Sequence, residues 1–154
     1  MGTRSTIALE FADGTVQQVY CHWDGYLDHN GRILQDHYTD PFKLRDLIDL
    51  GDMSSLGINI GTQHPFSPHS DGDKAAYDAA MAEGACTFYG RDRNESGCEA
   101  RKFKDFADYK ANHQYEEYEY ILRACGDKAV WFVCQYGRPY ELLSEALQRQ
   151  LEEA

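Results

Sequence analysis

Two stretches near the start of the chain alternate apolar and polar residues and are separated by a tight turn. That pattern fixes the opening of the fold. In "STIALEF", residues 5–11, Ile7, Leu9 and Phe11 fall on one side, and "ADGT" follows with the chemistry of a hairpin turn. "TVQQVYCHW" supplies the partner strand. Period-two geometry then sends Val19, Cys21 and Trp23 to one face and Gln18, Tyr20 and His22 to the other, so Cys21 and Trp23 are expected in the core.

Helical spacing takes over next. In "DHNGRILQDHY", Ile33, Leu34, His37 and Tyr38 share a helical face, with Asp28 or Asn30 placed to cap its start. A second helix begins at Asp40 and Pro41, runs through Leu44, Leu47 and Ile48, and stops at Gly51. Glycine, proline and serine density predicts a long irregular connection over residues 54–73. "KAAYDAAMAEG" then reads as a surface helix ended by Gly84.

The second half repeats this logic. "CTFYGRD" and "EARKFKD" read as strands around the turn "RNESG", and a helix follows over residues 105–114. "EYEYILRA" and "KAVWFVCQYG" form a hairpin around "CGD", the latter apolar enough to be central in its sheet. Leu143, Leu147 and Leu151, with Leu142 and Ala146 beside them, predict an amphipathic closing helix. Hairpins interrupted by helices give a single α+β domain over residues 1–154, with a mainly antiparallel sheet of about six strands and four to five helices.

Charge narrows the partners. Fifteen basic against twenty-six acidic residues leave a formal net charge of −11, which repels a nucleic-acid backbone and attracts a basic protein surface. The five cysteines are odd in number and contain no C-x-x-C pair, which fits reduced thiols. No window approaches ~18 continuous apolar residues, so a cytoplasmic protein with no membrane association is expected. The histidines lack the spacing of a closed zinc site, no nucleophile elbow occurs, and phosphate-loop fingerprints are missing. Neither a metal, nor a cofactor, nor a catalytic residue is expected.

Two groups of residues remain as candidate contact sites. Tyr20 and His22 share a strand face, Asp24 and Tyr26 continue from its end, and "TFYGRDR" brings Tyr89, Arg91 and Arg93. Arginine forks beside tyrosine hydroxyls suit an anionic ligand or a partner carboxylate; internal pairing of Arg91 or Arg93 with Asp24 or Asp28 is the alternative. The second group is the run "HQYEEYEYILR", where alternation puts Glu117 and Glu119 on the face with Ile121 and Tyr118 and Tyr120 on the face with Leu122. An exposed row of Glu117 and Glu119 would imitate phosphates, and tyrosines favour protein interfaces.

"TRSTIALEFADGTVQQVYCHWDGYLDHNGRIL", "LGDMSSLG" and "CTFYGRDR" together resemble a group of small, mostly uncharacterised proteins carried by bacteriophages, prophages and other mobile elements. The likeness covers roughly residues 3–123, and it implies a setting in a bacterial host cell rather than a mechanism. The expectation is an anti-CRISPR-like inhibitor of host defence. It would bind a host protein or protein–nucleic-acid complex through an acidic, tyrosine-rich surface. The alternative is a protein that binds or sequesters a nucleotide-type ligand in a pocket of Tyr20, His22, Asp24, Tyr89 and Arg91. A third reading, an enzyme of unrecognised type, would need His22 and Asp24 within hydrogen-bonding reach in a cleft.

Overall fold

The computed structural model describes residues 2–69 and 73–153. The predicted hairpin forms as β1 (Ser5–Glu10) and β2 (Val16–Cys21), paired antiparallel with Ile7 opposite Val19. A π-helical turn at Leu27–Gly31 leads into α1 (Arg32–His37). Neither Asp28 nor Asn30 caps that segment: Asp28 pairs with Arg32 at 2.9 Å, and Asn30 is buried. Helix α2 (Pro41–Asp49) starts as expected, the Asp40 carboxylate accepting from the Phe42 amide at 2.9 Å, and Gly51 leaves it at φ +85°.

The short strand β3 (Met53–Ser55) takes up the start of the expected connection, whose described residues beyond it are irregular and whose residues 70–72 lie outside the described residues; α3 (Lys74–Ala82) then buries no residue and ends before Gly84 at φ +74°. "CTFYGRD" departs from expectation. Only β4 (Thr87–Phe88) is extended, and α4 (Tyr89–Arg93) follows at once, because the Asp92 carboxylate turns back to accept from the Phe88 amide at 2.8 Å. Strand β5 (Arg101–Phe103), helix α5 (Phe106–Asn112), strands β6 (Tyr118–Cys125), β7 (Lys128–Gln135) and β8 (Glu141–Leu142), and helix α6 (Leu143–Glu153) complete the chain.

The class is α+β, but the sheet is mixed and larger than expected: among the described residues it holds eight strands in the order β4-β3-β2-β1-β6-β7-β8, with β5 also paired to β2. Two pairings are parallel, β1 with β6 and β2 with β3. The first joins strands more than a hundred residues apart, with Ser5 opposite Tyr118, and brings the second hairpin beside the first.

Each face of the sheet has its own core. On one, Ile7, Leu9, Val19, Tyr120, Leu122, Trp131 and Val133 pack with Leu34 of α1, Leu44, Leu47 and Ile48 of α2, and Leu143 and Leu147 of α6. Tyr38 is fully buried there and accepts the Trp131 indole N–H at its carbonyl, 3.1 Å away. On the other face Ala8, Val16 and Ile121 pack beneath Tyr109 of α5, with Phe103, Phe106, Phe132 and Tyr140 around them. No helix among the described residues is long and apolar enough to cross a membrane.

Candidate functional site

The stretch Tyr20–Gly31 is shaped mainly from below. Gly25 has no room for a side chain: a Cβ there would stand 2.7 Å from the Ser5 Cβ and 2.9 Å from the Thr3 carbonyl. Its carbonyl accepts from the buried Tyr120 hydroxyl at 2.6 Å. The Asn30 amide donates toward the Ser5 hydroxyl, the Cys21 sulfur and the Trp23 carbonyl at 3.2–3.4 Å. These contacts hold the loop from both ends, so the side chains it does not bury are displayed in a fixed arrangement.

Cys21 is buried as expected, and burial pushes its thiol up to about 12. Trp23 is not in the core. It is 43% exposed, because β2 ends at Cys21 and Asp24 then takes a left-handed backbone, φ +58°, that breaks the alternation. Tyr20 and His22 do share a side, the tyrosine hydroxyl lying 2.7 Å from His22 Nδ1, and the imidazole meets the Trp23 ring edge-on at 4.7 Å. Burial raises the Tyr20 hydroxyl above its ordinary value. Tyr26 is also exposed, and the neighbouring Asp24 carboxylate raises its hydroxyl. His22 and Asp24 share no hydrogen bond.

A cleft of about 330 Å³ opens beside this loop, lined by Trp23, Asp24, Ser54, Ser55, Phe66 and Tyr77, with Ser67 and Thr87 completing it. Three aromatic rings and one carboxylate thus converge with several hydroxyls. The ring of Phe66 lies 5.6 Å from that of Tyr89, and the Arg93 guanidinium covers both, 4.3 Å and 4.9 Å from their centroids. Burial raises the Tyr89 hydroxyl.

Arg91 and Arg93 are tied internally, but neither to Asp24 nor to Asp28. Arg91 Nε and Nη2 donate to Asp92 at 3.0 and 3.2 Å, and its remaining donors reach the carbonyls of Ile60, Gly61 and Cys86 at 3.0–3.1 Å. Helix α4 begins at Tyr89, which swings Arg91 back onto the long connection instead of along a strand face. His64 completes this knot. Its ring nitrogens lie 2.7 Å from the Pro65 carbonyl and 2.8 Å from that of Cys86, while its amide donates to Asp92 at 3.1 Å. The residues around Phe66 are therefore pinned as a wall of the cleft. Arg93 is exposed and pairs with Glu95.

The expected acidic row does not exist. Glu117 is half-buried ahead of β6, and Glu119 is only 1% exposed because its face of the sheet is roofed by α5. His113 Nε2 bonds its carboxylate, and the Tyr140 hydroxyl donates to it at 3.0 Å. Tyr120, placed on a possible interface by alternation, is buried in the main core. Sequence reasoning missed Ser54, Phe66 and Tyr77 as cleft residues; Phe66 and Tyr77 are aromatic residues isolated in polar or alanine-rich surroundings, which is a signal of display rather than packing. No group of three or more potential metal ligands converges among the described residues. Comparison of the chain with protein families, curated proteins and solved structures returns no match in any of the three.

Proposed function

We propose that the protein works by binding a basic protein partner, and that the cleft beside Trp23 receives a lysine or arginine side chain of that partner. The observation that carries this reading is the placement of the Asp24 carboxylate among the rings of Trp23, Phe66 and Tyr77. A cation gains from a carboxylate and from aromatic faces together, and more so when water is displaced. The net charge of −11 attracts such a surface over a longer range and speeds encounter. Exposed Trp23 and Tyr26 add ring area on a loop that is already rigid, which lowers the entropic cost of association. In the setting that the resemblance to phage and mobile-element proteins implies, the partner is a nucleic-acid-binding component of a host defence system, and occupancy of its basic surface is the inhibitory act.

The nucleotide reading has less support, because Arg91, the group meant to meet the phosphate, is already saturated by Asp92 and backbone carbonyls.

Affinity capture from host lysate with mass spectrometry tests the proposal. The wild-type chain is expected to retain a stoichiometric basic protein, released as salt rises from about 50 to 300 mM. Asp24→Asn and Trp23→Ala are expected to lose it while keeping the wild-type circular dichroism. Retention by both variants, or indifference to salt, overturns the reading.

A further inference from the structure

The face of the sheet that carries α5 holds a second opening, of about 410 Å³, which shares no lining residue with the Trp23 cleft. Its walls are Phe106 and Lys110 of α5, Arg123 of β6, Phe132 of β7, and Pro139 and Tyr140 of the loop before β8. Two cations and three aromatic rings line it, and no carboxylate does. In a chain with an excess of eleven acidic charges, that local reversal of sign is the feature that asks for an explanation.

The cations are set against rings. The Arg123 guanidinium lies 3.5 Å from the Phe106 centroid and the Lys110 ammonium 5.2 Å from the same centroid. Tyr140 meets Phe106 at a steep angle, 6.1 Å between centroids, and its hydroxyl is fixed by Glu119 and by Tyr109 at 3.0 and 3.2 Å. The ring walls are therefore anchored from behind. Arg123 is incompletely matched: a single contact joins its Nη2 to Glu10 at 3.2 Å, and its Nε is buried without a hydrogen-bond partner. A guanidinium usually receives a carboxylate through two parallel bonds, so half of this fork is unused. Lys110 has ring contact but no ion pair among the described residues.

We propose that this opening binds a small aromatic carboxylate, a flat apolar ring bearing one anionic group. The rings of Phe106, Phe132 and Tyr140 take the flat body, and the carboxylate lies between Lys110 and Arg123. Its volume falls in the range of small-ligand sites, and apolar walls with few convergent polar groups are what such sites share. One negative charge is favoured over two or more. Glu10 already offsets Arg123, so Lys110 supplies the single uncompensated charge, and the field of the whole chain opposes a polyanion.

The test is isothermal titration and thermal shift of the full chain with 2-naphthoate, its neutral counterpart 2-naphthalenemethanol, and adenosine monophosphate. Naphthoate is expected to bind saturably and raise the melting temperature, with the alcohol and the nucleotide each at least tenfold weaker. Lys110 is exposed, so Lys110→Gln is expected to fold normally and to weaken naphthoate about tenfold; Arg123→Lys should also weaken it. Equal affinity for acid and alcohol, tighter binding of the nucleotide, unchanged affinity in Lys110→Gln, or no saturable binding at millimolar naphthoate each overturns the proposal. Asp24→Asn should leave naphthoate binding intact, which separates this site from the protein-binding cleft.

Discussion

His113 and Glu119 are hydrogen-bonded to each other inside the α5 side of the molecule, their side chains only 3% and 2% exposed. The other ring nitrogen, Nδ1, lies 2.6 Å from the Tyr109 carbonyl, which can only accept, so a proton resides there. The imidazole is thus suspended between a carbonyl and a carboxylate.

The pair makes stability depend on pH in a defined direction. Burial pulls the His113 imidazole down, but the bond to Glu119, the charge of that carboxylate and the Tyr109 carbonyl outweigh it, and the net direction is upward. A histidine raised on folding contributes stability that is fully present below its unfolded value, ~6.5, and is lost as pH climbs through the folded value. The urea midpoint is expected to fall between about pH 6 and pH 8, and to fall less in His113→Gln. A midpoint that rises over that interval would contradict the assignment.

Asp24 combines a left-handed backbone with a place in the lining of the cleft. Asparagine tolerates that backbone, so Asp24→Asn is expected to alter unfolding free energy by less than about 0.5 kcal/mol. Asp24→Val, β-branched at the same φ, should cost about 1–3 kcal/mol. Denaturant titration of the two variants distinguishes them, and equal costs would show that the backbone relaxes.

Gly25 lies so close to the Ser5 side chain and the Thr3 carbonyl that Gly25→Ala must displace backbone. The expected cost is about 1–3 kcal/mol. Hydrogen exchange should locate the loosening at β1 and the Leu27–Gly31 turn, and an unchanged protection pattern would refute the close contact.

Thiol reactivity should rank by burial. Cys125 is exposed, Cys98 is half-buried, and Cys21, Cys86 and Cys134 are buried, with burial raising all three buried thiols. The thiolate is the reactive form, so brief iodoacetamide treatment at about pH 8 is expected to label Cys125 first and Cys21 only after unfolding. Peptide mapping that finds Cys21 among the early labels would count against the fold at β2.

Local patterns were legible in the amino-acid order, and long-range ones were not. The first hairpin followed from alternation and the "ADGT" turn, and α2 from its Asp40 cap, Pro41 and Gly51. The parallel union of β1 with β6 has no local signal, because nothing near Ser5 refers to Tyr118. Alternation places Glu119 on the face with Ile121 but does not say whether a face is roofed; α5, with its Tyr109 and its C-cap His113, decides that. Alternation puts Tyr20 and His22 on one side of the strand, where their side chains meet, but of the grouped residues Tyr20, His22 and Asp24 only Asp24 lines the cleft. Trp23 leaves the core because the strand ends two residues before it, and Arg91 leaves the strand face because the chain is helical from Tyr89 onward.

The margins of the sheet carry a final implication. Strands β4 and β8 are two residues long, and the outer side of β2 is divided between β5, opposite Val16–Gln18, and β3, opposite Cys21. The β4 rim therefore offers a neighbouring molecule only two residues of strand, whereas at the other rim β8 covers only Phe132 and Val133 of β7 and leaves Lys128–Trp131 with no strand partner on that side among the described residues. Strand addition by a neighbour is thus restricted at one margin of the sheet and open beside Lys128–Trp131 at the other.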